Sequence, residues 1–307
     1  MIWPGSEWNE LTTKDLLMRL SEALENDEII LLDGAIGTEL DKRGLMGRAG
    51  NNLDAPHAVL EIQREYAACG CDALTANTLT MNRIHIETHN LGVSVRDVNK
   101  AGVELARQAA GTDRYVLGNI SSTGQFLEPY GTYKESQFCD AFREQAGILA
   151  ESGVDGFIIE TIFDLREAMC ALRACKETFS LPVIVSIAFK TEEKGGRTMM
   201  GDSAEQCARS LTEAGADVVG ANCGDLDPSQ MAVVVSYLKS ATTLPILAQP
   251  NAGRPRLIGG KTVFEMAPAS FAAGIAECLN AGAKLVGGCC GTSPEHISAV
   301  AGMLERK

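Results

Sequence analysis

The chain has 307 residues, 45% of them hydrophobic and 22% charged, with a net charge of −13. This balance describes a globular chain with a large core, and the acidic excess argues against a nucleic-acid or anionic-membrane surface. No basic segment leading into an apolar core opens the sequence, and no apolar run is long enough to span a bilayer. A cytoplasmic protein is therefore expected, its ten cysteines serving as reduced thiols or metal ligands rather than disulfides.

The first predicted element is a helix from Thr12 to Leu24, with Leu16, Leu17, Leu20, Ala23 and Leu24 at helical spacing and Thr12 and Asp15 spaced as a capping box. It forms an N-terminal helical extension, residues 1–28, ahead of a single domain over 29–307. Within that domain, short apolar runs alternate with helical patterns. Strands are predicted at 29–33, 72–77, 115–121, 156–161, 182–189, 217–223, 245–251 and 284–290. Helices are predicted at 58–69, 95–110, 135–151, 165–178, 204–214, 228–241, 267–281 and 294–305. Eight alternating units point to an α/β fold, a closed (β/α)8 TIM barrel, with an open doubly wound sheet as the alternative.

A linker repeat favours closure. Cys69-Gly70-Cys71-Asp72, Ser152-Gly153-Val154-Asp155, Ala214-Gly215-Ala216-Asp217 and Ala281-Gly282-Ala283-Lys284 lead into the even strands, whereas Leu181-Pro182 and Leu244-Pro245 lead into the fifth and seventh. Such alternation suits a barrel whose odd and even strands fill different layers. Two long loops, 190–202 and 252–267, follow the fifth and seventh strands, on the face where barrel active sites form.

Two motifs fail on inspection. Gly259-Gly260-Lys261-Thr262 lacks the first glycine of a phosphate loop, because Pro255 stands there. His85 and His89 flank a misplaced Glu87 for a zinc protease helix, and both are read as surface residues. Most of the cysteines are accounted for by core packing.

The residues that finish strands form a different set. Asp33, Asn77, Glu160, Cys223, Asn251, Cys289 and Cys290 converge on one rim of a barrel. Buried Asp and Glu are rare unless paired or functional. Cys289 and Cys290 lie between glycines, where a strand gives way to the helix start Ser293-Pro294, and Cys223 ends the sixth strand. Three thiolates facing one point match a zinc site with an open fourth position, whereas an iron–sulfur cluster takes four cysteines at tighter spacing.

These residues resemble the homocysteine S-methyltransferase family over nearly the whole chain. The likeness is carried by Leu31-Leu32-Asp33-Gly34-Ala35-Ile36-Gly37-Thr38-Glu39, Ile159-Glu160-Thr161-Ile162-Phe163-Asp164, Asn222-Cys223, Pro250-Asn251-Ala252-Gly253 and Gly287-Gly288-Cys289-Cys290-Gly291-Thr292. The second and last segments resemble most closely the homocysteine-binding N-terminal module of cobalamin-dependent methionine synthases. The resemblance implies Zn2+ held by Cys223, Cys289 and Cys290, with Asn251 able to take the fourth position when substrate is absent. It further implies that Asp33, Gly34, Ala35 and Glu160 hold the amino-acid end of homocysteine. The segments after Asn119 and after Asn77 depart from the family pattern, on the rim where a methyl donor approaches.

The implied activity is methylation of homocysteine, activated as a thiolate, to methionine. No side-chain general base is expected, because zinc acidifies the thiol itself. The expected donor is methylcobalamin or another methyl-corrinoid. No folate, cobalamin or reactivation module follows Lys307, so a separate corrinoid protein is the expected partner. The alternative is S-methylmethionine or another small sulfonium or ammonium donor, which would call for aromatic residues, with Phe126, Tyr130 and Tyr133 as candidates. A more remote alternative is an inactive zinc- or thiol-binding subunit.

Overall fold

Eight short strands run in chain order: β1 Ile30–Leu31, β2 Ala73–Thr75, β3 Tyr115–Ile120, β4 Gly156–Ile162, β5 Val183–Ile187, β6 Val218–Asn222, β7 Ile246–Gln249 and β8 Leu285–Val286. The structure, a computed structural model, describes residues 20–306 apart from Gly47 and Gly260. The sheet order is β1-β8-β7-β6-β5-β4-β3-β2 with every pair parallel. A parallel bridge from Leu32 to Ala73 joins its two ends and closes the barrel.

The outer layer consists of α1 Pro56–Ala68, α2 Val95–Ala110, α3 Glu135–Glu151, α4 Leu165–Lys176, α5 Ala204–Glu213, α6 Pro228–Ala241, α7 Pro268–Asn280 and α8 Pro294–Met303. Each predicted barrel unit is present, and the open-sheet alternative is excluded by the closing bridge. Short helices Ile36–Lys42, Asn51–Asp54 and Arg83–Thr88 add to the loops after β1 and β2. The two long loops fold back as antiparallel hairpins, Phe189–Thr191 with Arg197–Thr198 and Arg256–Ile258 with Lys261–Val263.

The strands are buried on both faces, which explains their unbroken apolar runs. Inward side chains such as Leu32, Leu117, Ile158, Ile184, Val218 and Leu247 fill the barrel. Leu20 and Leu24 join this inner cluster, so the end of the N-terminal helix plugs the bottom of the barrel. That helix is described from Leu20 to Glu25; the predicted start at Thr12 lies outside the described residues.

The linker repeat has a physical cause at the bottom of the barrel. Asp72, Asp155 and Asp217 each donate their backbone N–H to a carbonyl of the preceding strand (Leu31, Val116, Val183). Each carboxylate then accepts the N–H of that same residue, at 2.7 Å in all three cases. A cation covers each one: Arg306, Arg107 and Lys176 respectively. At the fourth repeat, Lys284 instead donates to the carbonyls of Leu24 and Asn26 and ties the plugging helix to the barrel.

Candidate thiol and amino-acid site

The opposite end of the barrel holds a cavity of about 300 Å³ lined by strand ends, including Asp33, Asn119, Glu160, Cys223, Cys289 and Cys290. The ends of β6 and β8 bring the three cysteine sulfurs within 4.8 Å of one another. Cys223 Sγ lies 3.8 Å from Cys290 Sγ. A tetrahedral zinc with sulfur at about 2.3 Å has an edge of about 3.8 Å, so this spacing needs little adjustment to take the ion. Each of the three is half-buried, whereas Cys71, Cys139, Cys170, Cys175, Cys207 and Cys278 are buried, as core packing requires.

Local backbone holds the thiols in place. Cys223 has a φ of 53°, a left-handed conformation uncommon outside glycine. Its N–H donates to Gln249 of β7, and that of Cys289 donates to Pro250. Strand β8 ends at Val286, earlier than predicted, because Gly288 donates to the Asp33 carbonyl and Thr292 to Cys289, which replaces the ladder by a turn. Ser293 and Pro294 then start α8 as predicted.

The trio carries its own electrostatics. Hydrogen bonds from Cys223 and Cys289 push the Cys290 thiol down to about 3, and the same interactions raise Cys289. The cluster therefore accepts one negative charge readily and resists more. A divalent cation at its centre would offset that resistance. Asn251, two residues beyond β7, donates from Nδ2 to Gly224 O at 2.9 Å, while its buried Oδ1 has no hydrogen-bond partner. A free acceptor oxygen beside the cysteine-bearing turns suits a fourth ligand.

Three carboxylates line the same cavity, Asp41 exposed and Asp33 and Glu160 buried. Asp33 is buried and accepts from Thr75 N–H at 2.9 Å and Thr75 Oγ at 3.0 Å. Burial nevertheless raises it to about 8. Glu160 accepts from Asn119 Nδ2 at 2.6 Å and Asn222 Nδ2 at 3.2 Å, and burial raises it to about 7. No Lys, Arg or His is among the described residues lining this cavity. Register shifts between β4 and β5 at Ile159 and Ile162, around Glu160 and Thr161, and Thr161 takes a φ of 57°. For a β-branched residue this is strained, and Asn222 holds it by accepting from Thr161 N–H and donating to Thr161 Oγ1.

The Gly34-Ala35 turn is locked by Thr292. Its Oγ1 accepts from Ala35 N–H at 3.0 Å, and Tyr66 donates to the carbonyls of Ala35 and Thr292. A Cβ at Gly34 would lie 2.8 Å from Thr292 Oγ1 and Tyr66 OH, so only glycine fits.

Asn77 also reaches the rim, but its amide is hydrogen-bonded to Asn52. Thr75, Asn119, Asn222 and Gln249 were missed by sequence reasoning, because amides and hydroxyls at strand ends are ordinarily satisfied locally; only Asn222, beside Cys223, stood next to a flagged residue. His85 is half-buried rather than exposed and stacks on His89 at 4.0 Å. Of the aromatic candidates, Tyr133 packs on Phe138, and neither Phe126 nor Tyr130 lines the cavity.

The sequence has relatives over nearly its whole length. It is 29% identical over 313 residues to a methionine synthase of Mycobacterium leprae, and 29% identical over 308 residues to that of Mycobacterium tuberculosis. These alignments cover 95% and 94% of this chain, which spans about a quarter (25%) of the length of each relative. Among solved structures, the metallated homocysteine methyltransferase MmuM of Escherichia coli superposes with a TM-score of 0.75 at 21% identity, over 94% of this chain and 99% of that one. The carboxyl transferase domain of Rhizobium etli pyruvate carboxylase has a TM-score of 0.54 at 16% identity over 94% of this chain and 46% of that one, a likeness of barrel alone. The homocysteine S-methyltransferase family matches residues 30–304, a span that takes in the thiol trio, Asp33, Glu160 and all eight strands, and the chain belongs to that family.

Proposed function

We propose that this chain is a zinc-dependent homocysteine methyltransferase that forms methionine, with a methyl-corrinoid on a partner module as donor. The observation that carries the reading is the content of one cavity: three thiols within 4.8 Å of one another and, in the same lining, two buried carboxylates, Asp33 and Glu160, with no cation among the described lining residues. Homocysteine is a thiol and an α-ammonium on one short chain, so it matches both ends. Cys223, Cys289 and Cys290 would hold the zinc, with Asn251 as fourth ligand in the substrate-free protein. Bound there, zinc lowers the pKa of a coordinating thiol, so the substrate sulfur is a thiolate near neutral pH.

The protein's own residues orient the substrate. Glu160 and Asp33 accept N–H bonds from the ammonium, and the backbone of Gly34 and Ala35 faces the carboxylate end. Asn119, Asn222 and Thr75 keep those acids in place. The sulfur lone pair attacks the methyl carbon as the donor–methyl bond breaks, and that bond's electron pair stays with the donor. The gain is largely orientation. Neither a protein nucleophile nor a side-chain general base is required.

The resemblance of the Glu160 and Cys289-Cys290 segments to the cobalamin-dependent module supports the corrinoid, and no aromatic residue is among the described residues lining the cavity. One observation favours a small sulfonium or ammonium donor instead. Phe264 packs against Gly291, next to Cys290, and with Asp41 lines an adjoining cavity of about 710 Å³. An aromatic face and a carboxylate are what such a cation uses. A methyl-transfer assay with zinc-loaded protein, homocysteine and either methylcobalamin or S-methylmethionine separates the two. Methionine from the corrinoid is expected; methionine from S-methylmethionine alone would select the second reading.

A further inference from the structure

The amino-acid end of the cavity has one more polar group than its hydrogen bonds account for. Gln249 ends β7, is 2% exposed and lines the cavity, yet its Oε1 is buried without a hydrogen-bond partner. Leaving such a group unpaired carries the desolvation penalty of a buried acceptor. An apolar residue of similar volume would avoid that cost in the free protein, so the amide needs a reason to be there.

Its position supplies one. Gly287 lies between Gln249 and β1: a Cβ at 287 would stand 2.9 Å from Leu32 Cβ, 3.0 Å from Asp33 O and 3.4 Å from Gln249 Cγ. The missing side chain lets the Gln249 stem lie close against the Asp33 backbone. Asp33 and Glu160 can take two of the three N–H donors of an ammonium, and the described lining offers no cation to compete for them. A third acceptor is needed to desolvate that ammonium without loss.

We infer that Gln249 is a specificity-determining residue, its side-chain amide accepting the third ammonium hydrogen, so that the cavity selects thiols bearing a free α-amino group. This rests on the homocysteine reading above and deepens it. It predicts poor binding of desamino and N-acyl thiols, which lack the ammonium charge and leave Gln249 Oε1 without its donor.

The test uses Gln249→Met, which keeps volume and removes the acceptor, and Gln249→Glu, which retains one. Titration calorimetry of zinc-loaded protein would compare homocysteine with 4-mercaptobutanoate, its desamino analogue, alongside metal content and thermal melting. Gln249→Met is expected to weaken homocysteine binding about ten- to hundred-fold, the range of one hydrogen bond to a charged group. Binding of 4-mercaptobutanoate should stay the same, metal content should hold, and the melting temperature should not fall. Gln249→Glu should recover most of the homocysteine affinity. An equal loss for both thiols, a lowered melting temperature in Gln249→Met, or unchanged homocysteine binding would overturn the assignment of Gln249 alone. Absence of homocysteine binding by the unsubstituted zinc-loaded protein would instead overturn the functional reading on which it stands.

Discussion

The two ends of β4 carry the same chemical group in opposite circumstances. Asp155, just before the strand, is buried, accepts the Val116 N–H and is paired with Arg107 at 2.7 Å. Glu160, near the other end, is also buried, but amides and no cation hold it, and burial pushes it up to about 7. The pattern extends around the barrel: Asp72, Asp155 and Asp217 are all neutralised at the bottom, while Asp33 and Glu160 wait at the top. A buried carboxylate with a cation is part of the scaffold. One without a cation is a site prepared for a ligand that brings the charge.

The comparison can be broken most severely at the thiols. Cys223→Ala, Cys289→Ala and Cys290→Ala should each abolish or strongly weaken zinc binding, measured by metal analysis after dialysis. The fold, followed by circular dichroism, should survive, because the barrel core is independent of the trio. Full zinc retention in all three variants would remove the metal site from the account.

Glu160→Gln is next in size. Homocysteine affinity should fall about ten- to hundred-fold, corresponding to about 1.5–3 kcal/mol, with zinc content unchanged. Its mirror is Asp155→Asn, which should cost about 2 kcal/mol of stability, since Arg107 loses a partner while remaining partly solvated, and should leave homocysteine binding alone. If the two substitutions had the same phenotype, the distinction between the two ends of β4 would be wrong.

The smallest effect concerns pH. The unfolded chain releases the Asp33 proton near 4, whereas the folded protein keeps it until about 8. Between those values the folded state binds the extra proton, so this group's contribution to stability falls as pH rises through the window and levels off above it. Asp33→Asn should therefore gain on the unsubstituted protein in denaturant unfolding at pH 8 relative to pH 5. An equal difference at both pH values would show that Asp33 is not held protonated.

Much of this was legible in the residues. Apolar runs ending in Asp33, Glu160, Cys223 and Cys289 marked the strands and their catalytic ends, because a parallel barrel buries both strand faces and leaves only the ends for chemistry. The linker aspartates were visible as a repeat, but their reciprocal bonds to the preceding strands were not. Strands 29–33 and 284–290 were read too long: Gly287 still donates to Ala248 of β7, but Gly288 donates to the Asp33 carbonyl and the Cys289 carbonyl accepts from Thr292, so a turn replaces the ladder. The hairpins in the long loops escaped notice because their strands are only two or three residues long. Asn222 and Gln249 escaped for another reason: an amide's role depends on which partners it lacks, and that is a property of the fold.

The central claim is that the three thiols and the two acids serve one substrate. X-ray absorption at the zinc edge tests it most directly, on zinc-loaded protein with and without homocysteine. Three sulfur neighbours and one lighter atom are predicted in the free protein, and four sulfurs once homocysteine is added. In Glu160→Gln the fourth sulfur should require a higher homocysteine concentration. An unchanged zinc environment at saturating homocysteine, or zinc bound away from the cysteines, would contradict the account.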